Sequence, residues 1–163
     1  RIEFGVRIYE NQLRKMQALQ DDSLPHLYPF SGTEIFAEAF GCPVHRQSDN
    51  MPFAQPLIYE MSGLSRLKVP ELFSTSLSDY FEIVDGLKMR CGKDILVRLP
   101  DMQSPMGIAA LIWEKANFME SMLLEPKRSW KLLERYMNFY ALFLTNGSVA
   151  TGPNISRIIP TTR

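Results

Sequence analysis

Apolar residues recur along the chain with helical and strand-like spacing, and each run predicts an element. From Phe4 to Gln20, Val6, Leu13, Met16 and Leu19 share a broad helical face, with Arg7, Arg14 and Lys15 outside it. Asp21-Asp22-Ser23 ends that helix. His26 to Phe30 is a short strand candidate, and Ser31-Gly32-Thr33 is a turn. Glu34 to Phe40 is helical, with Ile35, Phe36, Ala39 and Phe40 apolar, and Gly41 closes it as a left-handed cap. Cys42 to Gln47 reads as a second short strand, Ser48 to Pro56 as a loop, and Pro56 to Pro70 as an extended or turn-like arm. Ser74 to Arg90 is an amphipathic helix built on Leu77, Tyr80, Phe81, Val84, Leu87 and Met89, with Gly92 as its stop.

The next stretch, Asp94 to Trp113, combines three signals. Ile95, Leu96, Val97 and Leu99 form a short β-rich run. Pro100, Asp101, Gln103, Ser104 and Pro105 make a turn, in which Ser104 is a good N-cap and Pro105 takes the first helical position. Gly107 to Trp113 continues as a buried helix. A strand, loop and helix in this order form an α/β unit, and ligands of such units sit at the carboxyl ends of the strands. Glu114 to Leu124 is a further helix. Pro126 starts the last one, which is expected to run to about Leu144 with Trp130, Leu133, Met137, Tyr140 and Leu144 along one face. Phe139 and Phe143 widen that face. Alternation of strands and helices predicts an α/β fold with parallel strands. Three strand candidates are too few for a closed eight-stranded barrel, which takes about 250 residues.

Composition narrows the function classes. The 163 residues suffice for one domain with a sizeable core, and 45% hydrophobic with 22% charged residues is ordinary for a globular protein. The formal net charge is zero, which argues against binding nucleic acid through phosphates. No apolar run has membrane-spanning length, so no membrane partner is expected. Two cysteines, Cys42 and Cys91, make no disulfide framework, and a reducing cytoplasm is the default expectation. The start at Arg1 and the polar stretch Asn146 to Arg163 read as the ends of a piece of a longer protein.

The chain resembles a known family at several places in order. F-S-G-T-E-I-F-A-E-A-F-G-C-P-V from Phe30, M-P-F-A-Q-P-L-I from Met51, and P-D-M-Q-S-P-M-G-I-A-A-L-I-W-E-K from Pro100 are similar to the uroporphyrinogen decarboxylase superfamily. The L-L-E-P-K-R-S-W-K-L-L helix that follows extends the likeness. The resemblance covers roughly residues 1–145, with 146–163 as an atypical polar tail. It implies a (β/α)8 TIM barrel of which this chain is the helix-rich, amino-terminal portion. The superfamily holds true uroporphyrinogen decarboxylases, which need no cofactor, and methyltransferases that move methyl groups between corrinoids and thiols. In the latter branch the second half of the barrel supplies most of the His and Cys zinc ligands, so zinc and corrinoid are expected only of a full-length parent and no cofactor of this chain.

Two departures favour the methyltransferase-like branch. True decarboxylases carry an arginine-rich amino-terminal motif, which has no counterpart in Arg1 to Gln20. They also carry an aspartate that grips pyrrole N–H groups, and in this sequence that aspartate falls on Gly32. The resemblance thus implies a parent that transfers methyl groups and a chain inactive alone, with tetrapyrrole decarboxylation as the runner-up.

Candidate site residues follow from position. Asp101 and Gln103 offer a carboxylate and an amide beyond a strand, Ser104 stands beside them, and Glu34 follows the first strand's turn closely. For each the competing reading is local: turn chemistry and capping for the first three, a favourable acid in the first turn of a helix for Glu34. That competing reading is preferred for Glu38. Cys42, His45, His26 and Cys91 could be counted as four metal ligands, but they lack the paired local spacing of zinc sites, and buried thiols with surface histidines are the favoured account. No catalytic residue is assigned. The expected ligand is a small molecule, tetrapyrrole or corrinoid. A dimer that pairs open sheet edges, and an interaction module built on helix 126–144, are the readings from other classes.

Overall fold

The computed structural model describes residues 1–48 and 50–151; side chains are described for these except 74 and 147–151. Its helices are α1 (Ile2–Leu19), α2 (Glu34–Ala39), α3 (Leu77–Cys91), α4 (Pro105–Ile112), α5 (Lys115–Leu124) and α6 (Pro126–Thr151), and its short strands are β1 (Val44–His45) and β2 (Phe53–Ala54). The chain forms two compact units. One holds Arg1–Ser31, Asp79–Pro100 and the segment from Leu144; the other holds Gly32–Ser78 and Asp101–Phe143.

In the first unit the two expected strands shrink to one parallel bridge, Leu27 with Val97. The Leu27 N–H donates to Leu96 O at 2.8 Å, and the Arg98 N–H donates to Leu27 O at 2.8 Å. A parallel ladder would next need N–H donors at positions 25 and 29, and both are proline. The Arg98 carbonyl that Pro29 cannot reach accepts instead from the Tyr80 hydroxyl at 3.3 Å. Gly5 of α1 lies under Leu87 and the Tyr28 carbonyl, with a would-be Cβ only 2.8 Å from Leu87 Cδ2. This close approach buries Gly5 and Val6, whereas the expected α1 face fades towards its end and leaves Leu19 69% exposed. In α3, Tyr80, Val84 and Leu87 are buried as expected, but Met89 points outward. That helix ends in Gly92 at φ 135, a conformation that glycine adopts without strain.

In the second unit a second parallel bridge joins Ile58 and Trp113. The Ile58 N–H donates to Ile112 O at 3.0 Å and the Glu114 N–H donates to Ile58 O at 2.7 Å. Pro56 lacks the N–H that would lengthen this ladder on one side, and a 3-10 turn at Met61–Arg66 ends it on the other. The segment from Cys42 to Gln47 contains the expected short strand, β1, but it pairs antiparallel with β2, Val44 opposite Ala54, and not parallel. Phe53 and Ala54 fall inside the stretch expected to be a loop. Helix α2 ends as the sequence predicts, with Gly41 at φ 94.

The core of this unit is aromatic. Phe36 meets Phe143 edge-on at 5.2 Å and Tyr136 at 6.4 Å, and Phe40 meets Phe139 at 5.2 Å. The buried stripe of α6 is therefore Leu132, Tyr136, Phe139 and Phe143, not the stripe through Trp130 and Met137, which are 66% and 49% exposed. Both stripes have helical spacing, and the rings of α2 select one of them. Helix α6 continues to Thr151, past the expected end near Leu144. Residues 152–163 of the expected tail lie outside the described residues.

Candidate functional site

The turn from Asp101 to Ser104 folds as its residues dictate. Ser104 has extended backbone and its Oγ accepts from the Gly107 N–H at 3.1 Å, which satisfies a free donor at the head of α4. Pro105 at the first helical position needs no partner. Gln103 is half-buried and lies over the same first turn, its Oε1 only 3.1 Å from where a Cβ on Gly107 would be. Asp101 is exposed. Gln103 and Ser104 thus converge on one turn of helix, and α2 packs against α4 in the same unit.

Glu34 is placed differently. It opens α2, and only 6% of it is exposed. Its carboxylate folds back over Gly32, so that a Cβ on Gly32 would collide with Glu34 Oε2. Among the described residues the Glu34 side chain forms no hydrogen bond or ion pair, and so none to Asp101, Gln103 or Ser104. Glu38, one turn on, has a plain structural use: both its oxygens accept from Arg46 Nη2, at 2.8 and 2.7 Å.

The cysteines do not form a reactive pair. Cys42 is buried beside the α2 cap, and burial pushes its thiol up to about 11. Burial also pushes the Cys91 thiol upward. Cys42 and His45 belong to one unit, His26 and Cys91 to the other. Among the described residues no group of three or more His, Cys, Asp or Glu could hold a metal ion. No helix among the described residues is long and apolar enough to cross a membrane.

The sequence did not reveal two surface grooves. One, of about 330 Å³, runs between Tyr59, Glu60, Trp113 and Glu120. The other, of about 460 Å³, is apolar and lies between Pro105 and Met106 of α4 and Trp130, Leu133 and Met137 of α6. The signal for the second is the stripe Trp130, Leu133 and Met137, which lines it.

Parallel pairing of chain segments that lead into helices, as Val97 leads to α4 and Trp113 to α5, is the unit from which (β/α)8 barrels are made. A solved methyltransferase from Methanosarcina mazei matches the structure with a TM-score of 0.60 at 14% sequence identity, over 81% of this chain and 39% of that one. The fold is accordingly a helix-rich part of a TIM barrel, and the chain spans about two fifths of the length of that methyltransferase. The sequence matches the uroporphyrinogen decarboxylase (URO-D) family over residues 15–155, and the chain belongs to that family. No curated protein matches it significantly.

Proposed function

We propose that this chain is the amino-terminal part of a methyltransferase of the URO-D family, whose parental reaction moves a methyl group between a corrinoid and a thiol or small methyl donor. Family membership leaves methyl transfer and decarboxylation both open. The observation that carries the choice is Gly32, which stands where the resemblance expects a true decarboxylase's aspartate and bears no side chain. The fold likeness to a methyltransferase supports the same choice. In this reading Asp101, Gln103, Ser104 and Glu34 contact the polar edge of the ligand, and the chain alone is inactive because it spans so little of the barrel it resembles. Zinc enters no step here, since neither thiol is a ready thiolate and no ligand cluster is present among the described residues.

Equilibrium dialysis tests this reading, with methylcobalamin and uroporphyrin as probes. The expected result is binding of methylcobalamin that Asp101→Ala combined with Gln103→Ala weakens at least about ten-fold, the loss of roughly one charge-assisted hydrogen bond. Preference for uroporphyrin would move the assignment to the decarboxylase branch. Methyl transfer by the purified chain alone would overturn its inactivity.

The apolar groove favours a second reading, an interaction role for α6. Trp130 and Met137 present an exposed apolar face, and faces of that kind mark contact surfaces. Trp130→Glu would then disrupt a complex without lowering the melting temperature.

A further inference from the structure

The groove between α4 and α6 lies wholly within one unit. Trp130, Leu133, Glu134 and Met137 stand three and four positions apart, so they share one face over two turns of α6. Pro105 and Met106, in the first turn of α4, form the facing wall, and Ser104 stands at its head. Five of these seven residues are apolar, yet Trp130, Met137 and Met106 are exposed. The stripe of α6 that meets the rings of α2 points elsewhere, so among the described residues nothing covers this face.

Size selects the class of occupant. The groove holds about 460 Å³, within the range of small-ligand sites, which begins at about 300 Å³. Two turns of α6 form a face only about 11 Å long and about 10 Å wide. A specific protein interface takes about 800 Å² from each partner, far more than that face and one turn of α4 present. The lining then selects the ligand. An indole and two thioethers favour a flat aromatic ring, through stacking and sulfur contacts at the ring edge. Only two polar side chains border the groove, and each has an unused function. Ser104 Oγ accepts from the Gly107 N–H, but its own hydroxyl hydrogen has no acceptor among the described residues. The Glu134 carboxylate has no donor or cation among them. A ligand that answers both offers an N–H to Glu134 and a lone pair to Ser104. A neutral azole ring carries both, one nitrogen donating and the other accepting.

We propose that this groove is a binding site for a small aromatic azole, held against Trp130, Met106 and Met137, with its N–H donated to Glu134 and its other ring nitrogen accepting from Ser104. Ser104 joins the groove to the turn assigned to ligand contact above. The proposal rests on that reading for Ser104 alone, and is independent of the corrinoid chemistry.

Isothermal titration calorimetry of the full chain with benzimidazole tests the proposal. One saturable site is expected. 1-Methylbenzimidazole keeps the accepting nitrogen but has no N–H, and is expected to bind at least about ten-fold more weakly, the loss of one charge-assisted hydrogen bond. Glu134→Ala should lose as much for benzimidazole and nothing further for 1-methylbenzimidazole, since both changes remove the same bond. Trp130→Ala is expected to weaken both ligands at least about ten-fold at an unchanged Tm, because Trp130 is exposed and outside the core. No saturable binding to wild type would overturn the proposal. So would equal affinity for the two ligands, or wild-type affinity in Trp130→Ala. A light-scattering mass of two chains that Trp130→Glu returns to one, without benzimidazole binding, would give this face to a second copy and overturn the proposal as well. Methylcobalamin dialysis on the same samples separates the two readings: if benzimidazole binds and methylcobalamin does not, only the corrinoid reading fails, and in the reverse case only this inference fails.

Discussion

The Arg135 guanidinium donates from one nitrogen to two carbonyls of a single 3-10 turn, Leu64 O at 3.0 Å and Leu67 O at 2.6 Å. Arg135 lies on α6 and the turn lies 68 residues or more before it in sequence. The arginine thus closes the carbonyl end of the Met61–Arg66 turn, where the Leu67 N–H reaches Leu64 O only at 3.4 Å. Truncation would remove the short bond to Leu67 O and leave Leu64 O with only the long one from the Leu67 N–H, at 3.4 Å. Arg135→Ala is expected to destabilise the chain by about 2 kcal/mol, the scale of a hydrogen bond to a charged group. Arg135→Lys should retain part of that. Urea unfolding midpoints of the two variants check the order, and equal midpoints for wild type and Arg135→Ala would refute it.

Tyr136 presents the opposite case. Its ring is fully buried against Phe36 and Phe40, but its hydroxyl has no hydrogen-bond partner among the described residues. Burial pushes the phenol well above its ordinary range. Removing a buried, unmatched hydroxyl leaves the packing intact and removes a desolvation cost. Tyr136→Phe is therefore expected to be neutral or to stabilise by about 1 kcal/mol. Tyr80→Phe is the control, because its hydroxyl donates to Arg98 O, and it should lose about 1 kcal/mol. A Tyr136→Phe variant less stable than Tyr80→Phe would contradict this account.

These residues also show what could be read from the sequence. Caps were legible because their chemistry is local: Ser104 with Pro105, Gly41 and Gly92 fold as their residue types require. Strand positions were legible, and prolines set their length. Pro25, Pro29 and Pro56 each remove a ladder donor, and that limit was in the sequence to be read. The buried face of α6 was not legible. Two stripes one position apart have equal helical spacing, and the choice rests on Phe36 and Phe40, a hundred residues earlier. At the candidate site, Gly32 was visible as a departure from the family pattern. That Glu34 turns back to fill its place depends on side-chain direction, which no periodicity reports.

The thiols give a pH-dependent prediction. Burial raises Cys42 from an ordinary 9.0 to about 11, whereas Cys91 is half-exposed and also shifted upward. Between those two values the folded chain holds the Cys42 proton and the unfolded chain has lost it. Stability from this group is therefore full below pH 9.0 and is lost as pH rises towards about 11. Cys42→Ala should flatten that alkaline decline. In native chain at about pH 8, iodoacetamide should label Cys91 first and reach Cys42 only after denaturation. Mass spectrometry of the alkylated peptides decides this, and early labelling of Cys42 would count against its burial.

Glu114 gives a prediction at the acid end. It is the N-cap of α5, and its carboxylate accepts from the Asn117 N–H at 2.9 Å and the Ala116 N–H at 3.2 Å. Those bonds, Asn117's first, hold its carboxyl below the ordinary 4.5. Below 4.5 the unfolded chain takes up a proton that the folded chain refuses, so stability rises with pH through this window. The contribution is present above 4.5 and is lost as pH falls through the lower folded value. Glu114→Gln keeps an oxygen acceptor but has no proton to gain, so its acid decline should be shallower than that of wild type. Urea midpoints taken from about pH 5 to about pH 3 measure both slopes. Salt should change the difference little, because hydrogen bonds to backbone N–H groups, and no distant charge, hold the shift. Parallel declines in wild type and Glu114→Gln would mean that the cap contributes nothing to acid stability, and the head of α5 would then rest on the buried Phe118 and on the Asn117 Nδ2 bond to Tyr59 O.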